Sequence, residues 1–139
     1  MAPRRTERRA RARALQAIYA WDMRGDEPLV RVAQRVFDDL AVTADVRALA
    51  LPLVRALEEH RADIDRRLTD VMTNWRLERL GAVERCVLRL AAAELARGET
   101  PPKVVLKEAV HLAERFGSPD SAKFVNGVLD TLARQQGRL

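Results

Sequence analysis

Hydrophobic side chains recur at helical spacing along most of the chain. The fullest example runs from Leu29 to Leu40, where apolar residues occupy positions i, i+3, i+4, i+7, i+8 and i+11. A second stripe runs from Val46 to Leu57 with Pro52 inside it. We expect this proline to kink or divide the helix, because it lacks a backbone donor and crowds the preceding turn. The polar run 58–61 is typical of a solvated helix end.

The hydrophobic pattern becomes denser in the second half of the chain. The stripe that begins at Ile64 predicts a helix reaching Trp75, and residues 83–95 are apolar over much of the helix circumference. An all-round apolar helix belongs at the centre of a bundle. Gly98 is expected to end it.

Two further stripes predict the last helices, which span roughly residues 101–116 and 119–132. Gly117 is placed as a C-terminal glycine and Ser118 as the next N-cap. We interpret Gly127 as a helical residue that allows close backbone approach. The sequence therefore predicts an all-α fold of about seven helices joined by short loops.

Six arginines crowd the N-terminus, opposed only by Glu7; they are Arg4, Arg5, Arg8, Arg9, Arg11 and Arg13. The whole chain has 25 basic and 20 acidic residues, so the remaining residues 14–139 are balanced and the net charge of +5 lies in the arm. With no large apolar side chain between Met1 and Leu15, we expect a flexible arm over residues 1–13 that leads into helix 1. The rest, residues 14–139, is expected to be a single domain with subdomains near 14–75 and 76–135.

Few residues in the sequence suit catalysis. The two histidines are isolated, and no HExxH motif, Gly-rich phosphate loop or cysteine pair is present. Cys86 lies on the most apolar helix, where an inert packed thiol is expected. Glu94 interrupts the same helix, and we expect it to form a hydrogen bond or ion pair at a helix junction. The sequence predicts no enzyme activity, no cofactor and no metal site.

The cysteine content and the length of the apolar runs indicate the cellular compartment. A lone cysteine suits a reducing compartment, and no apolar run approaches the roughly 20 residues that a membrane helix needs. We expect a cytoplasmic protein without a membrane partner. An Arg-rich N-terminus also occurs in mitochondrial transit peptides, which is the alternative reading of the arm.

Binding of nucleic acid is better supported than catalysis. Arginine's planar fork matches phosphate oxygens and stacks on bases, and Arg-rich segments often become ordered on binding RNA. Gln16 and Tyr19 follow the arm on the same helix and could contact bases or a partner protein. For Tyr19 the alternative is core packing with a polar tip at the surface. The sequence contains no helix-turn-helix pattern with a polar recognition helix, so nothing in it specifically favours DNA.

Four strings carry a resemblance to a known family: RRARARALQAIYAWD, NWRLERLGAVERCVLRLAAAEL, PPKVVLKEAVHLAERFG and DSAKFVNGVLD. In this order they closely resemble the NusB family of bacterial transcription antitermination factors. The resemblance implies two stacked three-helix bundles and a non-catalytic protein. It also implies binding to single-stranded boxA RNA, notably of ribosomal RNA operons, together with the ribosomal protein NusE. Other Nus factors and RNA polymerase would complete the complex.

The resemblance also assigns roles to individual positions. It implies RNA contacts at Arg8, Arg9 and Arg11 of the arm, with Gln16 nearby, and at Asp120 and Phe124 at the start of the last helix. Arg4 and Arg5 extend the basic run further out and are also expected to bind RNA, and Lys103 is the candidate contact in the PPK turn, where position 102 is a proline. The resemblance implies a protein-partner face at Tyr19, Glu84 and Arg89. The alternative is a stand-alone RNA-binding domain related to the N-terminal domain of RNA cytosine methyltransferases. The sequence does not distinguish a monomer from a homodimer.

Overall fold

The computed structural model describes residues 4–139, and within that range it contains helices and connecting turns but no strand. The elements are α1 Arg4–Arg24, α2 Leu29–Asp39, α3 Ala44–Val71, a short 3-10 helix Leu77–Arg79, α4 Ala82–Arg97, α5 Pro102–Phe116 and α6 Pro119–Gln135. This confirms the predicted all-α fold of about seven helices. Residues 1–3 of the predicted arm lie outside the described range.

The helices form two stacked groups of three. Helices α1, α2 and α3 pack on one another, as do α4, α5 and α6, and α4 also contacts α1 and α3. Side chains of α4 are buried around most of its circumference, from Cys86 to Leu95. The prediction that this segment is the central helix is therefore confirmed.

The arginine-rich segment belongs to α1 and is not a flexible extension over its described part. The helix begins at Arg4 and runs through the arm without interruption. Ala10 and Ala12 are 1% and 3% exposed, so the segment buries surface although it has no large apolar side chain before Leu15. Alanine has the highest helix propensity, and its small side chain lets a neighbouring helix approach closely. Over residues 4–13 the segment is therefore helical and partly buried, and does not form the separate flexible arm that the sequence predicts.

Helix α3 departs from regular geometry at His60, not at Pro52. The backbone is non-helical at His60, with φ −117° and ψ 18°, and the helix continues on both sides of this residue. Leu53, Val54 and Leu57 are buried just after the proline, and their packing holds the helix together through it. The predicted kink at Pro52 is therefore wrong in position. The irregularity falls in the exposed polar run 58–61, where the sequence predicts a helix end.

Helix ends follow local sequence signals at several positions. Gly98 ends α4 with φ +71°, a left-handed conformation that glycine adopts without steric cost. The Ser118 hydroxyl accepts a hydrogen bond from the Ser121 backbone N–H and caps α6. Gly127 is helical as predicted, but the space beside it is open, so the expected close backbone approach there is wrong.

An ion-pair network joins the two groups of helices. Asp22 of α1 accepts hydrogen bonds from Arg85 of α4 at 2.9 and 2.5 Å and from Arg89 at 3.1 Å. Arg89 continues to Asp65 of α3 at 2.9 Å. Burial opposes ionisation of Asp22, but the hydrogen bonds and charges of the two arginines outweigh it and lower the pKa of the carboxyl.

Replacing Asp22 with asparagine is expected to destabilise the protein by about 2–3 kcal/mol, because hydrogen bonds to charged groups are lost at a partly buried site. A lowered pKa contributes stability that is present above the unfolded value of about 3.9 and is lost as the pH falls through the folded value. Urea unfolding between neutral and acidic pH checks both points. The variant should lose less stability on acidification than the wild type, and parallel curves would contradict the account.

Candidate nucleic-acid interface

Arg11 is an internal residue. Its guanidinium donates two hydrogen bonds to the Glu94 carboxylate, from Nε at 2.9 Å and from Nη2 at 2.7 Å. Both residues are buried, at 7% and 5% exposure. Burial alone would lower the pKa of Arg11, but pairing with Glu94 raises it. The predicted Glu94 ion pair at a helix junction is confirmed, and the Nε and Nη2 donors of Arg11 are used within the fold.

Arg8 is held in a similar way but nearer the surface. Its Nε donates to the Glu108 carboxylate at 3.1 and 3.2 Å, which ties α1 to α5. The Glu108 side chain is 4% exposed, whereas that of Arg8 is 39% exposed. Arg8 therefore neutralises a buried acid and still presents part of its side chain to solvent.

The remaining arginines at the start of α1 are directed outward. Arg4, Arg5 and Arg9 are exposed. Together with Arg8 they line a surface groove whose other wall comes from α5 and includes His111 and Arg115. Neither of these α5 residues is predicted as a site residue from the sequence. Their exposed positions on an amphipathic helix are readable there, but nothing local indicates that α5 lies beside the arm.

Gln16 and Tyr19 lie further along α1 in a second, more apolar groove. This groove has a volume of about 550 Å³, and the rest of its wall comes from α1, α2, α4 and α5 through Leu15, Ala20, Val36, Asp39, Leu40, Val83 and Phe116. Tyr19 and Leu40 are 43% and 42% exposed, so the groove presents apolar surface to solvent. Gln16 accepts a hydrogen bond from Arg13 at 2.8 Å, which links the groove to the arm.

Phe124 and Asp120 lie at the start of α6, beside Trp75. Trp75 is exposed, although the sequence predicts a buried position for it. The sequence places Trp75 on a buried helical stripe, but α3 ends at Val71 and Trp75 is 56% exposed. Its ring meets Phe124 edge to face, with centroids 5.9 Å apart and an interplanar angle of 73°. Asp120 is exposed at the rim of the same surface. The polar residues on either side of Trp75 are the signal that the stripe has ended.

The predicted partner residues are not gathered at one place. Glu84 lines the surface beside Phe124 and accepts a hydrogen bond from the Ser121 hydroxyl at 2.9 Å. Its neighbour Val83 lines the groove of Tyr19, so the two surfaces adjoin. Arg89 is occupied by Asp22 and Asp65, and its guanidinium stacks on Trp21 at 5.5 Å. The contacts of Arg89 therefore join α4 to α1 and α3.

Lys103 lines neither the groove of Arg4, Arg5 and Arg9 nor the surface around Phe124. It is exposed in the first turn of α5, whose opposite end carries Arg115 beside the arm. Pro102 precedes it in the first turn of the helix.

Groups suited to catalysis are scarce in the part of the chain that the structure describes. Cys86 is fully buried, and burial raises the pKa of its thiol to about 12, so the predicted packed and unreactive cysteine is confirmed. Across residues 4–139, no group of three or more His, Cys, Asp or Glu side chains is placed to hold a metal ion. In the same range, no helix has the length and apolar character needed to cross a bilayer.

Comparison with known proteins identifies the family. The model of the NusB family matches residues 8–134, which is nearly the whole chain. The chain belongs to the NusB family. The transcription antitermination protein NusB of Anaeromyxobacter dehalogenans is 46% identical over 136 residues, covering 96% of this chain and 92% of that protein. The protein of the same name from Solibacter usitatus is 41% identical over 132 residues, with 94% and 90% coverage.

Solved structures of NusB proteins share the fold. The structure of T. maritima NusB superposes with a TM-score of 0.86 at 32% identity, covering 97% of this chain and 93% of that one. A crystal structure of the antitermination factors NusB and NusE in complex with dsRNA gives 0.87 at 30% identity, with 96% and 99% coverage. The NusB family consists of non-catalytic antitermination factors, so the expectation that this chain is not an enzyme is confirmed by its family.

Proposed function

We propose that this protein is an RNA-binding antitermination factor that binds boxA-type RNA together with NusE. The complex then joins other Nus factors and RNA polymerase in the bacterial cytoplasm and suppresses premature termination, notably in ribosomal RNA operons. The observation that carries the proposal is the exposed arginine surface of α1, in a chain that is similar to NusB in a solved complex with NusE and dsRNA.

The exposed arginines supply affinity in this proposal. Arg4, Arg5 and Arg9 have no ion pair within 4.0 Å among residues 4–139, so they are available to phosphates. Phosphate contacts position a nucleic acid but carry little sequence information. Selectivity for boxA therefore has to come from other side chains.

The aromatic pair at α6 is the proposed base-reading element. Phe124 and Trp75 expose ring surface beside Asp120, and bases extruded from a single strand stack on such rings. We place single-stranded boxA RNA here. A double strand keeps its bases stacked and would engage this surface less well.

Replacing Trp75 with alanine is expected to weaken RNA binding by about 1–3 kcal/mol, the usual contribution of one stacked base. Trp75 lies outside the helices and is largely exposed, so folding stability should fall only by the edge-to-face contact with Phe124, about 0.5–1.5 kcal/mol. Met23→Ala is a matched control, because Met23 is also 56% exposed and lies on α1, away from this surface. RNA titration and thermal melting together test the prediction. Unchanged RNA affinity in Trp75→Ala would contradict it.

The groove around Tyr19 is the proposed NusE surface. Its exposed apolar residues, Tyr19 and Leu40, suit a protein partner better than a polyanion. The Arg13–Gln16 contact lies between this groove and the arm, so NusE and RNA would occupy neighbouring parts of one face. NusE and RNA would then bind this protein together because their proposed surfaces are adjacent.

Transcription in vitro tests the functional proposal. Two templates place a terminator downstream of either a boxA-containing leader or the same leader with boxA scrambled. With RNA polymerase, NusE and the other Nus factors present, adding this protein should raise read-through on the boxA template alone. Equal read-through on both templates would contradict the proposed role of boxA.

A further inference from the structure

A row of basic side chains runs along the exposed face of α5. It consists of Lys103, Lys107, His111 and Arg115, and all four are exposed. The spacing of four residues repeats three times, so successive side chains lie about 6 Å apart along the axis and drift around it by about 40° per step. The row is about 18 Å long and winds gently over the helix surface. We call it the α5 stripe.

The α5 stripe is not used by the fold. Val105, Leu112 and Ala113 are the buried, core-facing side chains of the helix, and the buried Glu108 is paired with Arg8. None of the four stripe residues forms an ion pair within 4.0 Å with any acid in residues 4–139. Glu114, the exposed acid nearest to the stripe in sequence, directly precedes Arg115 and lies three positions after His111. The stripe therefore offers positive charge that no intramolecular partner neutralises.

The α5 stripe continues the arginine surface of α1. Its last two members, His111 and Arg115, form one wall of the groove whose other wall carries Arg4, Arg5 and Arg9. The positive surface therefore extends from the arm along α5 to Lys103, at the far end of the helix. Regularly spaced basic side chains of this kind suit a chain of phosphates better than a folded acidic protein, which would require a matched shape.

We propose that the α5 stripe is a phosphate track that binds RNA continuing beyond the segment gripped by the arm. This inference rests on the proposed RNA-binding function and assigns Lys107, His111 and Arg115 to it. The track contacts phosphates and does not contact bases. It lengthens the bound RNA and increases affinity for transcripts that extend past boxA.

The test compares two RNAs and two variants. One RNA is restricted to a boxA-like core, and the other extends it with unstructured sequence at both ends. The stripe variant Lys107→Gln/Arg115→Gln removes two charges. The control variant Arg31→Gln/Arg55→Gln removes two charges from exposed positions on α2 and α3. Both variants keep the apolar core of the wild type, and a melting curve confirms folding.

Wild type and control are expected to bind the extended RNA more tightly than the core, with a steeper dependence on salt. In the stripe variant this advantage should disappear, with the log–log salt slope shallower by about 1.4, since each lost single-strand phosphate contact removes roughly 0.7. Binding of extended RNA by the stripe variant at wild-type strength would overturn the inference. So would unchanged RNA binding with loss of NusE or RNA polymerase binding. If wild type binds neither RNA, it is the proposed function that fails.

Discussion

Replacing Arg11 with methionine is expected to destabilise the protein by about 3–5 kcal/mol, because Glu94 is left as an unpaired buried carboxylate. Both partners are almost fully buried and share a bidentate contact, so no water molecule replaces the lost donors without disturbing the packing. Chemical unfolding measures the loss. RNA affinity, measured where the variant remains folded, should change little.

Two controls separate the structural role of Arg11 from a role in RNA binding. The double variant Arg11→Met/Glu94→Leu removes both charges and should recover much of the lost stability, as apolar replacements of buried ion pairs often do. Arg9→Gln removes the same charge from an exposed position nearby and should leave stability unchanged while weakening RNA binding. An Arg11→Met variant that unfolds like the wild type and loses RNA binding would contradict the structural role of Arg11.

The triple variant Arg4→Gln/Arg5→Gln/Arg9→Gln is expected to show the largest loss of RNA affinity. Three phosphate contacts at roughly 0.7 each should make the log–log salt slope shallower by about 2. These arginines lie at the exposed start of α1, so the melting temperature should change little. Titrations over a range of salt concentrations measure the slope.

A charge-matched control distinguishes local contacts from net charge. Arg31→Gln/Arg55→Gln/Arg66→Gln removes three exposed charges from α2 and α3, and its salt slope should remain close to that of the wild type. If both triple variants lose affinity equally, RNA responds to the overall charge of the protein. The arm would then have no special role.

Much of the fold is predictable from the sequence because its determinants are local. Amphipathic spacing predicts the helices, and the Gly98 and Ser118 signals act within one turn of their own positions. The burial of α4 follows from its composition. Pro52 is misleading because packing of the residues after it outweighs one missing donor.

Which arginines of the cluster pair with buried acids and which remain exposed is not predictable from the sequence. Nothing in the sequence around Arg8 and Arg11 distinguishes them from Arg4 and Arg9. Their partners, Glu108 and Glu94, lie 100 and 83 residues away, and no local pattern connects them. Helical periodicity does separate the faces of α1, but only the tertiary contacts show which face meets buried acids. The cluster that suggests a uniform RNA-binding arm therefore contains both fold-stabilising and exposed arginines.

RNA titration with and without NusE tests the central claim most directly. The RNAs are a boxA-like oligonucleotide, a scrambled one of equal composition, and the boxA-like strand annealed to its complement. With NusE present, the single-stranded boxA-like RNA should bind at least about tenfold more tightly than the scrambled RNA, a difference of about 1.4 kcal/mol. Equal affinity for all three RNAs, with and without NusE, would contradict sequence-selective RNA binding and leave only a basic surface.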